Sequence, residues 1–268
     1  MAGPQAARRE SRRVGLARCL SKLGFCSRTQ AVQLIREGCV TLNGTVRRDP
    51  ETPVNFASDK IAVNGVRLAA GSKLYLMLNK PRGLVTTTSG EQGRNTVYSC
   101  LPEDLPWIAP VGRLDKASEG LLLFTNDSEW AARVLAPESH LDRTYHVQIA
   151  GAADPSFCKA LIRGFQSADG YAFRMKQAHI LRQGDRNTWL EVVLDEGRNR
   201  HIRRMMEHMG REVLRLLRVS IGPLVLGDLH KGAFRPLTIS EKESMDGMDN
   251  VLQQKPKLSS LPRPRRAN

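Results

Sequence analysis

What this sequence of 268 residues does not contain excludes several classes of protein. Its five cysteines are odd in number and no two are spaced as C-x-x-C, which argues against a disulfide framework and a cysteine-rich zinc site. No apolar run approaches the length of a membrane span, and the basic start lacks the apolar core of a signal peptide. We therefore expect a protein of the reducing cytoplasm with no membrane partner, although the arginine-rich start is also compatible with an organelle-targeting segment.

The sequence also lacks the motifs that bind nucleotides or catalytic metals. No G-x-G-x-x-G loop follows a predicted strand, no Walker-type loop occurs, and H-E-x-x-H is absent. The six histidines show no i, i+4 pairing of the kind that holds a metal on a helix. We therefore expect no cofactor and no metal ion, so that any reaction has to rely on ordinary side chains.

Charge of one sign is in excess. The chain holds 41 Lys and Arg against 27 Asp and Glu, which gives a net charge of +14. The first 18 residues carry a net +4 and the last 18 a net +5, so the rest of the chain carries +5. Such an excess favours a polyanionic partner, most commonly nucleic acid, but basic tails alone would also produce it.

Residues 14–70 show the pattern of a small domain that follows a basic arm, residues 1–13, which we expect to be disordered. Apolar residues in its first half recur with helical spacing and predict two short helices. Ser27 and Gln30 are spaced as a capping box at the start of the second helix. The second half alternates apolar and polar residues around two signals for tight hairpin turns, namely Asn43-Gly44 and Asn64-Gly65.

Arginines on the second predicted helix and just after the first turn would form one basic face. They are Arg28, Arg36, Arg47 and Arg48. Taken singly, Arg28 and Arg36 are more simply interpreted as part of a solvated helix face. The whole stretch, however, resembles the S4 RNA-binding domain, with matches at residues 18–24, 27–28, 35–38 and 40–44. The resemblance implies that Arg28 and Arg36 contact the phosphates of folded RNA.

Residues 73–245 are predicted to form a larger α+β domain with a mixed or antiparallel sheet, because strand-like runs outnumber helical patterns. The strand-like runs lie near residues 74–78, 121–125, 145–149, 189–194 and 213–221. The helical patterns lie near residues 128–136, 155–164 and 199–209. Residues 246–268 are polar and basic, and we expect them to be a disordered tail.

The best candidate for chemistry is the segment of residues 111–124. Gly112 and Gly120 flank a polar loop in which Asp115 lies between Arg113 and Lys116. A carboxylate beside cations stays ionised, as a nucleophile or a base requires. From spacing alone, the simpler interpretation is a salt bridge in a surface loop.

Residues 112–122 resemble the catalytic motif G-R-L-D-x-x-T-x-G-L-L of pseudouridine synthases, with Ser118 in place of the threonine. Three further segments, residues 80–83, 143–145 and 196–205, resemble other motifs of this family. Together with the S4-like start, they are similar to the RsuA-like branch, which modifies bacterial ribosomal RNA. The resemblance covers about residues 14–240. It implies a pseudouridine synthase domain behind a small S4 domain of two helices and hairpins.

The resemblance also implies a role for individual side chains. Asp115 corresponds to the catalytic aspartate, Tyr145 to the tyrosine that stacks on uracil, and Arg203 to the arginine that pairs with the aspartate. Tyr145 is also a candidate for proton transfer, although a tyrosine packed in the core is the simpler alternative. The further residues expected to contact RNA are Arg113, Arg198 and Arg204.

The implied reaction cuts the bond between C1′ and uracil N1, turns the base and joins C1′ to C5. It gains no atom and therefore needs no cofactor. Asp115 would start it by attacking the sugar or by removing the C2′ proton, after the uridine is extruded from folded RNA. The alternatives are a non-enzymatic ribosome assembly factor and an S4-domain methyltransferase, which would need a glycine-rich loop that is not evident. The wording of residues 196–200 leans towards the enzymes of the large ribosomal subunit, and the family is usually monomeric.

Overall fold

The computed structural model describes residues 13–56, 58–69, 71–87, 95–167 and 170–253, with side chains as far as Gly247. The chain divides into two compact units. Unit 1 comprises the described residues up to Ala132 together with Leu229–Pro236. Unit 2 comprises Arg133–Asp228 and the described residues from Leu237 onward. Most of the predicted basic arm, and residues 254–268 of the predicted tail, lie outside the described residues.

The amino-terminal part of unit 1 consists of two helices and short strands. They are β1 (Val14–Gly15), α1 (Leu16–Lys22), α2 (Arg28–Glu37), β2 (Val40–Leu42), β3 (Thr45–Val46), β4 (Pro53–Val54), β5 (Ile61–Val63) and β6 (Val66–Arg67). Strands β3, β2, β5 and β6 form an antiparallel sheet in that order, and β1 pairs with β4. The apolar side chains that predicted the helices, among them Leu16, Leu20 and Ile35, are fully buried in one core.

The local signals in this part are confirmed. The Ser27 side chain accepts a hydrogen bond from the backbone N–H of Gln30, and the Gln30 side chain accepts one from the backbone N–H of Ser27. The predicted capping box is therefore present at the start of α2. Both Asn-Gly pairs have positive φ at each residue, which the tight turns of hairpins require.

The remaining elements belong to the larger predicted domain. In chain order they are β7 (Tyr75–Lys80), β8 (Ala109–Val111), β9 (Glu119–Thr125), α3 (Ser128–Leu135), β10 (Arg143–Ala150), α4 (Pro155–Arg163), β11 (Phe165–Gln166), β12 (Ala172–Phe173), β13 (Gln177–Gln183), β14 (Asn187–Leu194), α5 (His201–His208), β15 (Val213–Ile221), β16 (Leu224–Val225), β17 (Phe234–Pro236) and α6 (Ile239–Gln253). The α+β class with antiparallel pairing is confirmed.

Within unit 1, β9 is an interior strand of an antiparallel sheet. It pairs antiparallel with β7 and with β8, and β17 pairs with the other edge of β7. Every residue of β9 is buried, as the apolar run at residues 121–124 predicts for a strand that is covered on both faces. The catalytic-motif loop runs from β8 into this strand.

Within unit 2, four antiparallel strands lie side by side in the order β13, β14, β10, β15. Strand β16 pairs antiparallel with the end of β15. Strands β11 and β12 form a separate short hairpin. The predicted strand at residues 213–221 has the observed bounds of β15, and the three predicted helices agree with α3, α4 and α5 to within two residues at either end.

The end of the described chain differs from the expectation of a tail from residue 246, because α6 continues to Gln253. Its start has a local cause. Thr238 accepts a hydrogen bond from the backbone N–H of Glu241, and the Glu241 carboxylate accepts one from the backbone N–H of Thr238. This is a second capping box, and buried Met245 anchors the helix that it begins. Among the described helices, none is long and apolar enough to cross a membrane.

Candidate active site

Asp115 lies in the loop between β8 and β9 of unit 1, and backbone contacts define the path of this loop. Gly112 has a φ of +77°, which turns the chain out of β8 at a conformation that favours glycine. The carbonyl of Leu114 accepts a hydrogen bond from the Thr86 hydroxyl at 2.8 Å, and the carbonyl of Asp115 accepts one from the N–H of Ser118 at 3.0 Å. The Asp115 side chain is half-exposed, so it can meet a ligand.

A lysine inside the protein holds the same loop. Lys80, the last residue of β7, has no exposed surface. Its ammonium donates to the carbonyls of Ser118 at 2.8 Å, Pro81 at 3.1 Å and Asp115 at 3.2 Å. One cation thus ties the loop backbone at Asp115 and at Ser118 to the end of β7. The sequence indicated residues 80–83 only by their resemblance to a family motif, and the structure gives Lys80 a specific role in holding the loop.

Charges around Lys80 partly compensate for its burial. Burial lowers its pKa to about 8, while the nearby carboxylates of Asp115 and Glu119 act in the opposite direction. Glu119 is itself buried and forms an ion pair with Lys231 at 2.7 Å. The loop therefore lies beside two buried charges, an arrangement that holds a fixed electrostatic environment next to Asp115.

Arg113 and Lys116 flank Asp115 in sequence, and both are exposed. The backbone carbonyl of Lys116 accepts a hydrogen bond from the N–H of Gly83 at 2.7 Å, which ties the loop to the segment after β7. The two cationic side chains project from an anchored backbone. This placement agrees with the predicted contact between Arg113 and RNA.

Tyr145 lies on β10 in unit 2 and is 8% exposed. Directly opposite it are Val192 of β14 and Arg218 of β15. The pairing of β10 with β15 shifts register at this point, since Thr144 faces Ser220 and Tyr145 faces Arg218, which leaves Val219 as an extra residue. Such β-bulges re-aim side chains and are frequent beside active sites.

Two guanidinium groups accompany Tyr145. Arg218 is 4% exposed, and Arg143 lies two residues before Tyr145 on the same face of β10. Burial lowers the pKa of Arg143; the charge of Arg218 lowers it further, whereas Tyr145 and Asp142 raise it. The residue types around Tyr145 are therefore not those of an apolar core. Arg218 could not be identified from the sequence, because only the strand register places it opposite Tyr145.

Arg203 lies in the first turn of α5, half-buried, and its Nη1 donates to the carbonyl of Val213 at 3.4 Å. The apolar stripe predicted for this helix is present, because Ile202, Met205 and Met206 are buried. Arg203 is at the edge of that stripe, as the spacing predicts, and its side chain reaches the first residue of β15.

Two aromatic residues support the other arginines predicted near α5. The guanidinium of Arg198 lies 3.8 Å from the ring centroid of Tyr171, and that of Arg204 lies 4.9 Å from the ring of Phe173. Both arginines are exposed. Cation–π contacts of this kind hold an arginine in place while its hydrogen-bond donors remain available.

His201 fixes the start of α5 against the segment between β12 and β13. It is 2% exposed, and its Nε2 lies 3.1 Å from the carbonyl of Arg174, an acceptor that places the proton on this nitrogen. Burial lowers the pKa of His201, and the carboxylate of Glu196 opposes this shift. His201 therefore acts as a structural hydrogen-bond donor.

On the S4-like part, Arg28 and Arg36 are exposed at the two ends of α2. Exposed Arg48 donates to the carbonyl of Arg36 at 2.7 Å, so these two arginines lie together at the last turn of α2. Two of the four arginines of the predicted basic face are thereby brought together, and their contact with RNA stays a prediction. Of the predicted site residues, Asp115, Arg113, Arg28 and Arg36 belong to unit 1, and Tyr145, Arg198, Arg203 and Arg204 belong to unit 2.

Comparison of the sequence with known proteins identifies the family of both parts of the chain. Residues 74–208 match the family model for RNA pseudouridylate synthase, and residues 14–61 match that for the S4 domain. A Rickettsia bellii protein named as an uncharacterized RNA pseudouridine synthase is 38% identical over 83% of this chain and 96% of its own length. The Bacillus subtilis ribosomal large subunit pseudouridine synthase B is 34% identical over 84% of this chain and 93% of its own.

A solved structure is also similar. The crystal structure of a pseudouridylate synthase superimposes with a TM-score of 0.60 and 29% identity, over 87% of this chain and 99% of that one. The matched family model contains the Asp115 loop, Tyr145 and Arg203. The chain belongs to the RNA pseudouridine synthase family, isomerases that act on RNA, and carries an S4 domain at its amino-terminal side.

Proposed function

We propose that this enzyme converts a specific uridine of ribosomal RNA, in the large subunit, to pseudouridine. The observation that carries the proposal is the loop of Asp115, whose backbone is fixed by a fully buried lysine while its carboxylate stays half-exposed. The name of the Bacillus subtilis relative supports the choice of large-subunit RNA as substrate. The reaction would take place in the cytoplasm, with the enzyme as a monomer.

Binding would begin with the phosphates of folded RNA. Arg28 and Arg36 on the S4 domain, and Arg198 and Arg204 at α5, offer exposed guanidinium groups for such contacts. Extruding a uridine from the stack costs a few kcal/mol. Phosphate contacts at separated points offset this cost, and Arg113 beside the catalytic loop would hold the backbone of the extruded nucleotide.

Asp115 would then start the chemistry. Its carboxylate either attacks C1′ or removes the C2′ proton, and in both cases the bond between C1′ and N1 breaks, with the electron pair leaving on uracil. The base turns and C5 bonds to C1′; this bond displaces the aspartate from C1′ in the first route, and forms as a proton returns to C2′ in the second. The proton on C5 is then lost while N1 regains one. The atoms balance without a cofactor, and no redox step occurs.

Tyr145 and Arg203 would assist these steps. Tyr145 would stack on the uracil ring and take part in removing the C5 proton, and the buried arginines beside it favour negative charge on the base. Arg203 would pair with the Asp115 carboxylate and keep it charged and oriented. Both roles follow the family motifs that these positions match.

The test is a cofactor-free assay on rRNA. Wild-type protein is incubated with a large-subunit rRNA transcript labelled with tritium at uridine C5, and with a small-subunit transcript as a matched control. We expect release of one tritium per enzyme-specific site from the large-subunit transcript alone. Release only from the control transcript would contradict the choice of subunit. Tight binding without release from either would contradict the activity on rRNA.

A further inference from the structure

The outer face of the sheet in unit 2 carries a row of side chains that no catalytic motif includes. Arg182 of β13 lies opposite Trp189 of β14, Trp189 lies opposite Gln148 of β10, and Gln148 lies opposite Arg215 of β15. Directly opposed residues of antiparallel strands point to the same face. These four side chains, here called the arginine–tryptophan row, therefore cross four neighbouring strands on one face.

That face is directed away from the core. On β10, Tyr145, Val147 and Ile149 are buried, whereas Gln148 alternates with them and is half-buried. At the two ends of the row, Arg182 and Arg215 are exposed. The two ends of the row are thus exposed and its middle residues, Gln148 and Trp189, are half-buried. The row lies on the opposite face of β10 from Tyr145.

Both arginines converge on one aromatic ring. The guanidinium carbon of Arg182 lies 5.3 Å from the ring of Trp189, and that of Arg215 lies 5.6 Å from it. Neighbouring strands are about 4.8 Å apart, so Arg215 starts two strands, roughly 10 Å, from Trp189. The side chains must lean towards each other over Gln148. The result is an aromatic surface with a cation on either side.

Positive charge exceeds negative charge on this face. Within the bounds of the four strands, it carries Arg182 and Arg215 and a single acid, Glu191. Glu191 lies in the next row, 3.3 Å from the Nε2 of His146. Two guanidinium groups beside one aromatic ring suit a polyanion whose bases can stack.

We propose that the arginine–tryptophan row is a second RNA-binding surface, distinct from the S4 domain and from the catalytic motifs. Its arginines would bind backbone phosphates, and Trp189 would stack on an unpaired base next to them. Stacking on aromatic rings and on guanidinium planes, combined with phosphate contacts, is the usual way in which proteins hold single-stranded RNA. The inference rests on the proposed function only in that the substrate is rRNA.

The experiment measures affinity for a large-subunit rRNA fragment with the full chain, at several salt concentrations. We expect Trp189→Ala to weaken binding about tenfold. Trp189→Tyr, which keeps an aromatic ring, should restore most of the affinity. The double variant Arg182→Gln, Arg215→Gln should weaken binding and reduce the slope of log K against log salt by roughly 1 to 2. Arg163→Gln, which removes an exposed arginine at the end of α4, is the matched control.

The outcomes separate this inference from others. Unchanged affinity and salt slope in the double arginine variant would overturn it, and a lower melting temperature alone would assign the row to folding. Weaker binding to ribosomal particles but not to naked RNA would overturn it in favour of a protein partner. If wild-type protein binds rRNA through the row but releases no tritium from it, the proposed function fails and this inference stands.

Discussion

Lys80 is a cation that the fold buries completely and uses as a donor to three carbonyls of the catalytic region. Carbonyls that lose their donor in the interior cost about 1 to 3 kcal/mol each. Ser118 N–H still serves the Asp115 carbonyl when the lysine is removed, whereas the other two contacts are lost. The role of Lys80 is therefore to hold the loop that carries Asp115, without contact of its own with the reacting atoms.

The lowered pKa of Lys80 predicts a pH dependence of stability. Its pKa is about 8 in the folded protein, against an ordinary value of 10.5 for a lysine exposed to water. Between these values the unfolded chain binds more protons, so the free energy of unfolding rises with pH from about 8 to 10.5, by up to about 3 kcal/mol. The same contribution is lost as the pH falls through 8.

We expect urea unfolding of the wild type at pH 7.5 and pH 10 to show this rise relative to Lys80→Met. Lys60→Met, which removes an exposed lysine, is the control and should follow the wild type. A change with pH that is the same in the wild type and in Lys80→Met would show that Lys80 is not the group responsible.

At the scale of elements, the junction between α4 and β11 depends on one glycine. Gly164 ends α4 with a φ of +73°, and a Cβ there would lie 2.0 Å from the carbonyl oxygen of Phe173. Phe173 belongs to β12 and stacks on Phe165 of β11, so a shift of this carbonyl would disturb the hairpin. The hairpin in turn supports Arg204 through the ring of Phe173.

Gly164→Ala should therefore cost more than a positive φ alone. Gly170→Ala is the matched control, since Gly170 has a φ of +82° with nothing within 4 Å of a Cβ. We expect Gly170→Ala to lower the free energy of unfolding by about 1 kcal/mol and Gly164→Ala to lower it by at least about 3 kcal/mol. Denaturant unfolding measures both values. Equal losses of stability would mean that the backbone at Phe173 moves away from the new Cβ without destabilising the protein.

Elements with a strong local signal were predictable from the sequence, and others were not. The capping box at Ser27, the Asn-Gly turns and the apolar stripe of α5 each specify their element through contacts close in sequence. Strand β13 has no such signal, because its outer residues are exposed and its pairing with β14 is interrupted by a register shift after Ile180. The capping box at Thr238 has the sequence T-x-x-E, which is typical of a helix start. The residues that follow show no regular apolar stripe, so the sequence did not predict α6.

The site was predictable to a similar degree. Asp115, Tyr145 and Arg203 follow from family motifs, and their roles stay predictions. The Lys80 clamp, the position of Arg218 opposite Tyr145 and the arginine–tryptophan row depend on strand register and burial. Each of these three features brings together residues that are far apart in sequence. The spacing of residues within one segment therefore could not predict them.

At the scale of the whole molecule, the excess of positive charge has a distribution that suits a large RNA. Exposed arginines occur on the S4 domain, at α5 and on the outer face of the unit 2 sheet. Bond breaking at Asp115 would involve only the extruded nucleotide, whereas the phosphate contacts of these arginines would offset the cost of extrusion. Substitutions of the exposed arginines should therefore act mainly on affinity, and substitutions of Asp115 on turnover.

Single-turnover conversion of the rRNA substrate by Asp115→Asn, with RNA affinity measured in parallel, is the sharpest test of the role of Asp115. Asp104→Asn, outside the loop of Asp115, is the matched control. We expect Asp115→Asn to bind RNA as tightly as the wild type and to form no detectable pseudouridine, while Asp104→Asn keeps full activity. Pseudouridine formed by Asp115→Asn at a rate near that of the wild type would mean that Asp115 is not the catalytic aspartate.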